Sequence, residues 1–214
     1  MRDLTVNRFR KARGNVLRQQ IERLSNHLRR PIVVLDVGGR PDYWENVGYQ
    51  SIREIRLLNV DVNEIDRQMV AEIFTSEIGD ARALNGYDDK SVDLVHSNSV
   101  IEHVGPWPDM VAMASEMQRV GLAGWVQTPA WEFPIEPHFR LPFVHWFASP
   151  IRRASLRLSR DYGDLDVSAR RRHIDRINLL SYPEIRSLFP ACDIYVEKFV
   201  VAKSYSAYWG PDFS

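Results

Sequence analysis

The stretch Val33-Val34-Leu35-Asp36-Val37-Gly38-Gly39-Arg40 decides the fold of this chain. Its apolar, β-branched first half is typical of a buried central strand. Gly38 and Gly39 then let the backbone turn tightly and approach a ligand with no Cβ in between. The segment that follows can begin a helix whose N-terminus faces the same ligand. A strand, an acid and two glycines in this order indicate a nucleotide-binding α/β domain.

Polar residues also follow the next three strands that the sequence predicts. The strands are expected at residues 55–60, 73–78 and 92–96. They lead to Asp61, Asp80 and Asn98. In a doubly wound parallel sheet, ligands bind outside the carboxyl ends of the strands, where the strand order reverses. We therefore expect these side chains to meet Asp36 at one site.

The remaining segments continue the alternation of helices and strands. Helical periodicity predicts an amphipathic cover helix at residues 6–28, and Met110, Met113 and Met117 share one face of a helix that ends near residue 120. Further elements are expected as a strand at 124–128, a helix at 185–189 after a capping-box pattern, and two strands at 194–200 and 202–208. The close succession of the last two predicts an antiparallel hairpin at the sheet edge.

Composition restricts the class of protein. A chain of 214 residues is long enough for one well-buried α/β core and too short for two full domains. The formal net charge of zero argues against stable binding of nucleic acid. A single cysteine, Cys192, excludes an intramolecular disulfide and fits the cytoplasm, and no apolar run reaches the length of a transmembrane segment.

The residues after Gly39 restrict the nucleotide. A dinucleotide site needs G-x-G-x-x-G, but Gly39 is followed by Arg40, Pro41 and Asp42, and there is no Walker sequence. Asp61 is placed to accept hydrogen bonds from ribose hydroxyls. The sequence therefore favours a ligand that contains adenosine and lacks phosphate.

Two further strand ends fit the rest of such a ligand. Asp80, together with the backbone amide of Ala81, can read an adenine edge by its pattern of donors and acceptors. Asn98 and Ser99 can hold a small zwitterionic group.

On these motifs the chain resembles a class I S-adenosylmethionine-dependent methyltransferase of the type 11 kind, over residues 33–208. The most specific stretch is Ser91-Val92-Asp93-Leu94-Val95-His96-Ser97-Asn98-Ser99-Val100-Ile101-Glu102-His103-Val104. The resemblance implies a Rossmann-like, doubly wound, seven-stranded, mostly parallel sheet with an antiparallel last strand. It also implies S-adenosylmethionine as cofactor, with contacts from the strand ends: Asp36, Gly38, Gly39, Asp61, Val62, Asp80, Ala81, Asn98 and Ser99.

One departure from the family pattern matters. The last glycine of the usual D-x-G-x-G is replaced by Arg40. An outward Arg40 leaves room for the cofactor, whereas an inward side chain crowds its methionine end.

We expect one methyltransferase domain over residues 1–214, with an insertion after the fifth strand. Its segments are a cover helix at 1–30, a cofactor-binding core at 31–128, an acceptor-side insertion at 129–180, and a closing helix and hairpin at 181–214. The five prolines of the insertion start near the carboxyl side of the sheet, where the acceptor should lie.

His138 in this insertion is the first candidate for a general base, because imidazole titrates near neutral pH. Glu102 and His103 are expected to shape the floor of the catalytic site. The alternative is that His138 and His145 are hydrogen-bonded structural residues of a proline-braced loop.

The same residues raise the question of a metal. Ser99-x-x-Glu102-His103 with His138 resembles the Glu-x-x-Glu-His and distal histidine of metal-dependent small-RNA 2′-O-methyltransferases. A carboxylate and two imidazoles could bind a divalent cation and lower the pKa of an acceptor hydroxyl. Because Ser99 removes one ligand of that pattern, no metal is expected.

The acceptor is expected to be a small molecule or a glycan-like or lipid-linked compound that is methylated on oxygen. Arginines of the insertion, Arg152, Arg153, Arg157 and Arg160, suit an anionic acceptor, or a membrane-surface contact aided by Phe143, Trp146 and Phe147. A solvated helix face is the simpler reading. Two other functions stay open, an RNA 2′-O-methyltransferase with a divalent metal and a non-catalytic scaffold or sensor of the same fold.

Overall fold

The computed structural model describes residues 4–61 and 72–211. Its strands are β1 (Ile32–Val37), β2 (Ile52–Asn59), β3 (Phe74–Ile78), β4 (Val92–Asn98), β5 (Gly121–Pro129), β6 (Ile135–Glu136), β7 (Leu141–Pro142), β8 (Asp193–Phe199) and β9 (Val201–Trp209). Its α-helices are α1 (Leu4–Leu28), α2 (Pro41–Val47), α3 (Trp107–Val120), α4 (Ser149–Ser155), α5 (Val167–Asp175) and α6 (Tyr182–Leu188). Short 3₁₀ helices span Ile101–His103, Val144–Trp146 and Leu156–Leu158.

Within the described ranges, seven strands form one sheet in the order β3-β2-β1-β4-β5-β9-β8. Strands β1 to β5 pair in parallel, and β9 runs antiparallel to both β5 and β8. The predicted Rossmann-like, mostly parallel sheet with its closing antiparallel hairpin is therefore confirmed. The chain order reverses between β1 and β4, so a crevice forms at the carboxyl ends of these two strands.

Strand boundaries differ from the predicted ones by a few residues. β2 begins at Ile52 because Ile32 of β1 pairs with it, and β5 begins at Gly121, which pairs with Val92. β4 continues to Asn98 through pairing with Gln127. These extensions come from pairing between distant segments, which local periodicity does not record.

Each face of the sheet carries its own apolar core. On one face Leu17, Ile21 and Leu24 of α1 are buried with Trp44 of α2 and Trp125 of β5. On the other face the core contains the predicted methionine face of α3 and the buried residues of α6: Met110, Met113, Met117, Ile185 and Leu188. The predicted capping box is also present, with Ser181 and Glu184 at the start of α6.

The insertion packs as a small unit on the carboxyl side of β5. β6 and β7 form a two-stranded antiparallel sheet. Phe139, Val144, Leu156 and Ile174 are buried together in a core of their own. An isolated bridge between Ala130 and Leu180 joins the two ends of the insertion next to the main sheet. In the part of the chain that the structure describes, no helix has both the length and the apolar character needed to cross a membrane.

Candidate functional site

The turn after β1 needs both of its glycines. Gly38 has a φ of 69°, and a Cβ there would lie 2.4 Å from Cγ2 of Val100. A Cβ on Gly39 would lie 2.0 Å from Oδ2 of Asp36. The backbone N–H of Gly38 donates to the carbonyl of Leu58 at 2.8 Å. The turn is thus pressed against β2 and against the segment that follows β4, with no room for a side chain.

Asp36, a predicted cofactor residue, is almost fully buried, and both of its carboxylate oxygens are bonded within the protein. Trp44 donates its indole N–H to Oδ2 at 2.6 Å. Oδ1 lies 2.6 Å from Nδ1 of His96 on β4. The carboxylate thereby ties α2 and β4 to the end of β1 and fixes the glycine turn.

Arg40 turns outward. Its side chain is 67% exposed and pairs with Asp42 at 3.2 Å. The residue that departs from the family pattern therefore lines the cavity beside the turn with a largely exposed side chain and is not buried inside it.

A first cavity of about 500 Å³, the strand-end cavity, lies beyond β1, β2 and β3. Of the predicted residues, Gly38, Asp80, Ala81 and Ser99 line it. Asp80 receives hydrogen bonds from the side chain and backbone of Arg82, and these bonds lower the pKa of its carboxyl.

The residues at the end of β2 complete this cavity. Asn59, which the sequence did not single out, lines it and donates its amide to the carbonyl of Gly39 at 3.1 Å. Val60 lines it as well, and Asp61 follows as an exposed residue. Val62 lies outside the described residues.

A second cavity of about 310 Å³, the glycine-loop cavity, shares Gly38 and Ser99 with the first, so the two are adjacent. The buried Oδ1 of Asn98, which lines the second cavity, has no hydrogen-bond partner among the described residues. Ser99 has a φ of 56° and donates its hydroxyl to Oε1 of Gln127 at 3.1 Å. An unbonded buried carbonyl oxygen beside a glycine turn is suited to accept from an ammonium group.

The three predicted catalytic residues come together at one place. Glu102 lies on the 3₁₀ helix after β4, and its side chain has no exposed surface. Its Oε1 is 3.9 Å from Nε2 of His138 and 4.0 Å from Nε2 of His103. The two imidazole rings meet edge to face, with centroids 4.7 Å apart. His103 also lines the strand-end cavity, so this cluster borders the predicted ligand site.

Each member of the cluster is held by a second contact. Thr128 donates its hydroxyl to Oε2 of Glu102 at 2.9 Å, while Oε1 has no hydrogen-bond partner in the described part of the chain. Nδ1 of His138 lies 2.7 Å from Oε1 of Glu136, a buried carboxylate of β6. The backbone carbonyl of Arg176 accepts a hydrogen bond from His103. The unbonded carboxylate oxygen and the two Nε2 atoms therefore face one another.

Burial and charge shift the pKa values of the cluster. Burial raises the pKa of Glu102 to about 7. Burial lowers the pKa of His138, but the hydrogen bond to Glu136 and the charges of Glu136 and Glu102 outweigh this, and the net pKa is raised. Burial and the nearby positive charge of His138 lower the pKa of His103. The pKa of His138 is thus raised and that of His103 is lowered. Neighbouring groups beside a cavity whose pKa values are shifted in opposite directions are typical of acid–base sites.

The same cluster has the geometry of a metal site. One ligand atom from each of Glu102, His103 and His138 lies within 4.8 Å of the other two. Carboxylate and imidazole ligands suit divalent transition metals. The contacts from Glu136 and from the Arg176 carbonyl are of the kind that orient histidine ligands.

Sequence reasoning missed Glu136, although its spacing from His138 carried a signal. Residues two apart lie on the same face of an extended strand. Here Glu136 is the last residue of β6 and His138 lies in the turn between β6 and β7, where the carboxylate reaches the imidazole. Arg10 and Arg13 of α1, which line the glycine-loop cavity, were also missed, because their approach depends on tertiary packing.

Comparison with known protein families gives one match to the chain. A family model described as a methyltransferase domain matches residues 8–185. No curated protein matches the chain.

Solved structures with similar folds are distant in sequence. The PH0226 protein from Pyrococcus horikoshii has a TM-score of 0.59 at 17% identity, with 92% of this chain and 91% of that chain covered. A Bordetella parapertussis protein described as exported has a TM-score of 0.56 at 13% identity, with coverages of 94% and 68%. A Nostoc punctiforme protein described as an O-methyltransferase has a TM-score of 0.52 at 16% identity, with coverages of 92% and 56%. At these identities the similarity concerns the fold.

Proposed function

We propose that this chain, which belongs to the methyltransferase domain family, transfers the methyl group of S-adenosylmethionine to an oxygen atom of a small-molecule or glycan-like acceptor. One observation carries the proposal for oxygen: a histidine held by a buried carboxylate, His138 on Glu136, stands beside Glu102 in a cluster whose third member, His103, lines the strand-end cavity. An acceptor hydroxyl needs such a base, because its proton must leave as the new bond forms.

The residues around the two adjacent cavities fit the cofactor. The unbonded Oδ1 of Asn98 would accept from its ammonium group, with Ser99 beside it. Gly38 and Gly39 keep the turn free of side chains, and Asp36 acts through the shape of this turn, because its own oxygens are already bonded.

The strand-end cavity is large enough for the nucleoside. Asp61 and Val62, the latter outside the described residues, are proposed near the ribose, and Asp80 and Ala81 near the adenine. When bound, S-adenosylmethionine supplies an electrophilic methyl group on a positively charged sulfur.

We assign His138 as the general base. Its Nδ1 is engaged by Glu136, so Nε2 is the atom that takes the proton of the acceptor hydroxyl. The imidazolium formed there is stabilised by the carboxylates of Glu136 and Glu102, which raise its pKa. Glu102 and His103 form the floor of the site and fix the position of the ring. The reaction should accelerate as pH rises, because only neutral His138 can accept a proton.

The test is His138→Ala, compared with His173→Ala, which removes a histidine from α5 outside this cluster. Turnover is measured with methyl-labelled S-adenosylmethionine and fractionated small molecules from a cell extract, and cofactor affinity by calorimetry with S-adenosylhomocysteine. Loss of turnover by about 100-fold or more at unchanged affinity is expected. Retained turnover with normal affinity would falsify the assignment.

A second candidate function is metal-assisted O-methylation, favoured by the convergence of Glu102, His103 and His138. A divalent cation there would lower the pKa of an acceptor hydroxyl directly, as the resemblance to 2′-O-methyltransferases implies. Treatment with a strong chelator and re-addition of Mn²⁺ or Zn²⁺ distinguishes the two. Activity that is lost and then restored supports the metal route, whereas unchanged activity leaves His138 as the base.

We further propose that the four segments at 1–30, 31–128, 129–180 and 181–214 act as one cytoplasmic domain. A membrane-surface contact stays a prediction. Phe143 and Trp146 cluster with Trp131 as partly exposed rings, which supports it. Vesicle co-sedimentation of the wild type and of Trp146→Ser tests it.

A further inference from the structure

A third cavity, of about 800 Å³, lies among α1, the end of β5, the β6–β7 hairpin and the closing strands. We call it the acceptor cavity. It shares Arg10 and Arg13 with the glycine-loop cavity. Gln127, which also lines it, accepts the hydrogen bond from Ser99, and Ser99 lines both cofactor cavities. The acceptor cavity therefore adjoins the cofactor site.

Most of the wall of the acceptor cavity is apolar. The apolar lining residues are Phe9, Pro129, Ala130, Phe133, Ile135, Pro137 and Phe199. The rings of Phe9 and Phe199 meet edge to face, with centroids 5.9 Å apart, and so join α1 to β8. Ile135 and Phe199 are about half exposed. Such walls favour an apolar ligand body over a sugar, which needs many hydrogen-bond partners.

The charged residues of this wall are mainly cationic. The buried carboxylate of Glu197 is engaged by Arg13 at 3.2 Å and by Lys203 at 3.8 Å. Arg10 is exposed and has no carboxylate partner among the described residues. Arg140 faces only Asp161, at 3.8 Å between two exposed side chains, which is a weak pair. The wall therefore has a surplus of positive charge, and its exposed guanidinium groups are those of Arg10 and Arg140.

We propose that the methyl acceptor is an amphipathic anion, with an apolar body in the acceptor cavity and a carboxylate or phosphate held by Arg10 and Arg140. Guanidinium groups bind both anions through paired N–H donors. Pro137 and Arg140, which line the cavity, belong to the same hairpin turn as His138, so the proposal places the acceptor hydroxyl at this turn. This assignment rests on the proposed function, and it places the anion site on α1 and the hairpin turn rather than on Arg152, Arg153, Arg157 and Arg160.

Four probes with the same tail and different heads test it: octanoate, octyl phosphate, octanol and octyl glucoside. Their dissociation constants are measured by calorimetry, below the concentrations at which they form micelles, with and without saturating S-adenosylhomocysteine. We expect the better of the two anions to bind about tenfold tighter than octanol and octyl glucoside. The ratio between octanoate and octyl phosphate identifies the preferred anion.

Variants test which residues produce the preference for anionic probes. Arg10→Met and Arg140→Met keep an apolar stem but remove the charge, and each should reduce the anion preference by about threefold or more. Arg171→Met removes the same charge from exposed α5 and should leave the preference unchanged. Phe199→Ser should weaken all four probes to a similar degree.

The outcomes separate this inference from the proposed function. Equal binding of the four probes, or tightest binding of octyl glucoside, overturns the inference while cofactor binding stands. An Arg10 variant that loses affinity for S-adenosylhomocysteine and keeps the anion preference also overturns it, because Arg10 would then serve the cofactor. Absent binding of S-adenosylhomocysteine with a retained anion preference refutes the proposed function and leaves the cavity assignment in place.

Discussion

The Glu102→Gln variant should gain stability relative to the wild type as pH rises. The side chain is fully buried, and its Oε1 has no hydrogen-bond partner among the described residues. The nearest groups that can carry positive charge are His138 at 3.9 Å and His103 at 4.0 Å. Ionising this carboxyl in the folded state is therefore costly, because the Thr128 hydroxyl meets only Oε2 and the burial outweighs that single bond.

The size of this change in unfolding free energy follows from the pKa of Glu102. Burial raises the pKa of Glu102 from its ordinary 4.5 to about 7. For an acid with a raised folded pKa, the stabilisation is complete below the unfolded pKa and is lost as pH rises through the folded one. The shift corresponds to a loss of about 3 kcal/mol of unfolding free energy between about pH 4.5 and pH 8. His138, whose pKa is also raised, adds a loss of the same sign.

Glutamine keeps the shape of the side chain and cannot ionise. Urea unfolding of the wild type and of Glu102→Gln at about pH 5, 6, 7 and 8 should give a difference that moves in favour of the variant by about 3 kcal/mol. Glu116→Gln is the matched control, because Arg119 lowers the pKa of Glu116 and its titration is complete below this range. Parallel stability curves for the wild type and Glu102→Gln would refute the reasoning.

Three further predictions concern the glycine turn and α1. Gly39→Ala should weaken binding of S-adenosylhomocysteine by about tenfold or more, since its Cβ would lie 2.0 Å from Asp36. Calorimetry checks this against Gly86→Ala, where a Cβ meets nothing within 4 Å, and equal affinities would contradict it. Trp44→Phe leaves one Asp36 oxygen without its donor and should cost about 1–3 kcal/mol in urea unfolding, whereas an unchanged midpoint would count against it. Arg13→Met removes the nearer of the two cations at the buried carboxylate of Glu197 and leaves Lys203 at 3.8 Å, so it should cost about 1–3 kcal/mol by the same measurement, and a loss under about 0.5 kcal/mol would disprove it.

Strand ends were predictable from the sequence because their signals are local. The apolar run before Asp36 and the alternation before Asn98 are each confined to a few residues. Parallel pairing then brings those ends to one edge, whichever residues pair in detail. The positions of Gly38, Asp80 and Ser99 around the strand-end cavity follow from this rule.

Some contacts within the fold decide which polar atoms remain available to a ligand. These contacts could not be predicted from local sequence patterns. The bond between Asp36 and His96 joins residues 60 apart, and the pair of Arg13 and Glu197 joins residues 184 apart. Neither leaves a pattern within one segment, because both depend on how helices pack on the finished sheet. The acceptor cavity was missed for the same reason, since α1, the hairpin and the closing strands are distant in sequence.

Two of the buried carboxylates of the site, Asp36 and Glu102, show why this distinction matters for function. Both carboxylate oxygens of Asp36 are bonded within the fold, to Trp44 and His96. Asp36 therefore acts by fixing the shape of the glycine turn. Glu102 is equally buried but leaves one oxygen unbonded opposite two imidazoles. An unsatisfied buried group costs folding free energy, and such groups in native proteins call for an explanation in binding or chemistry. A proton shared with His138, or a cation held between Glu102 and the two histidines, would supply the missing partner, and the pH dependence and the chelator experiment distinguish the two.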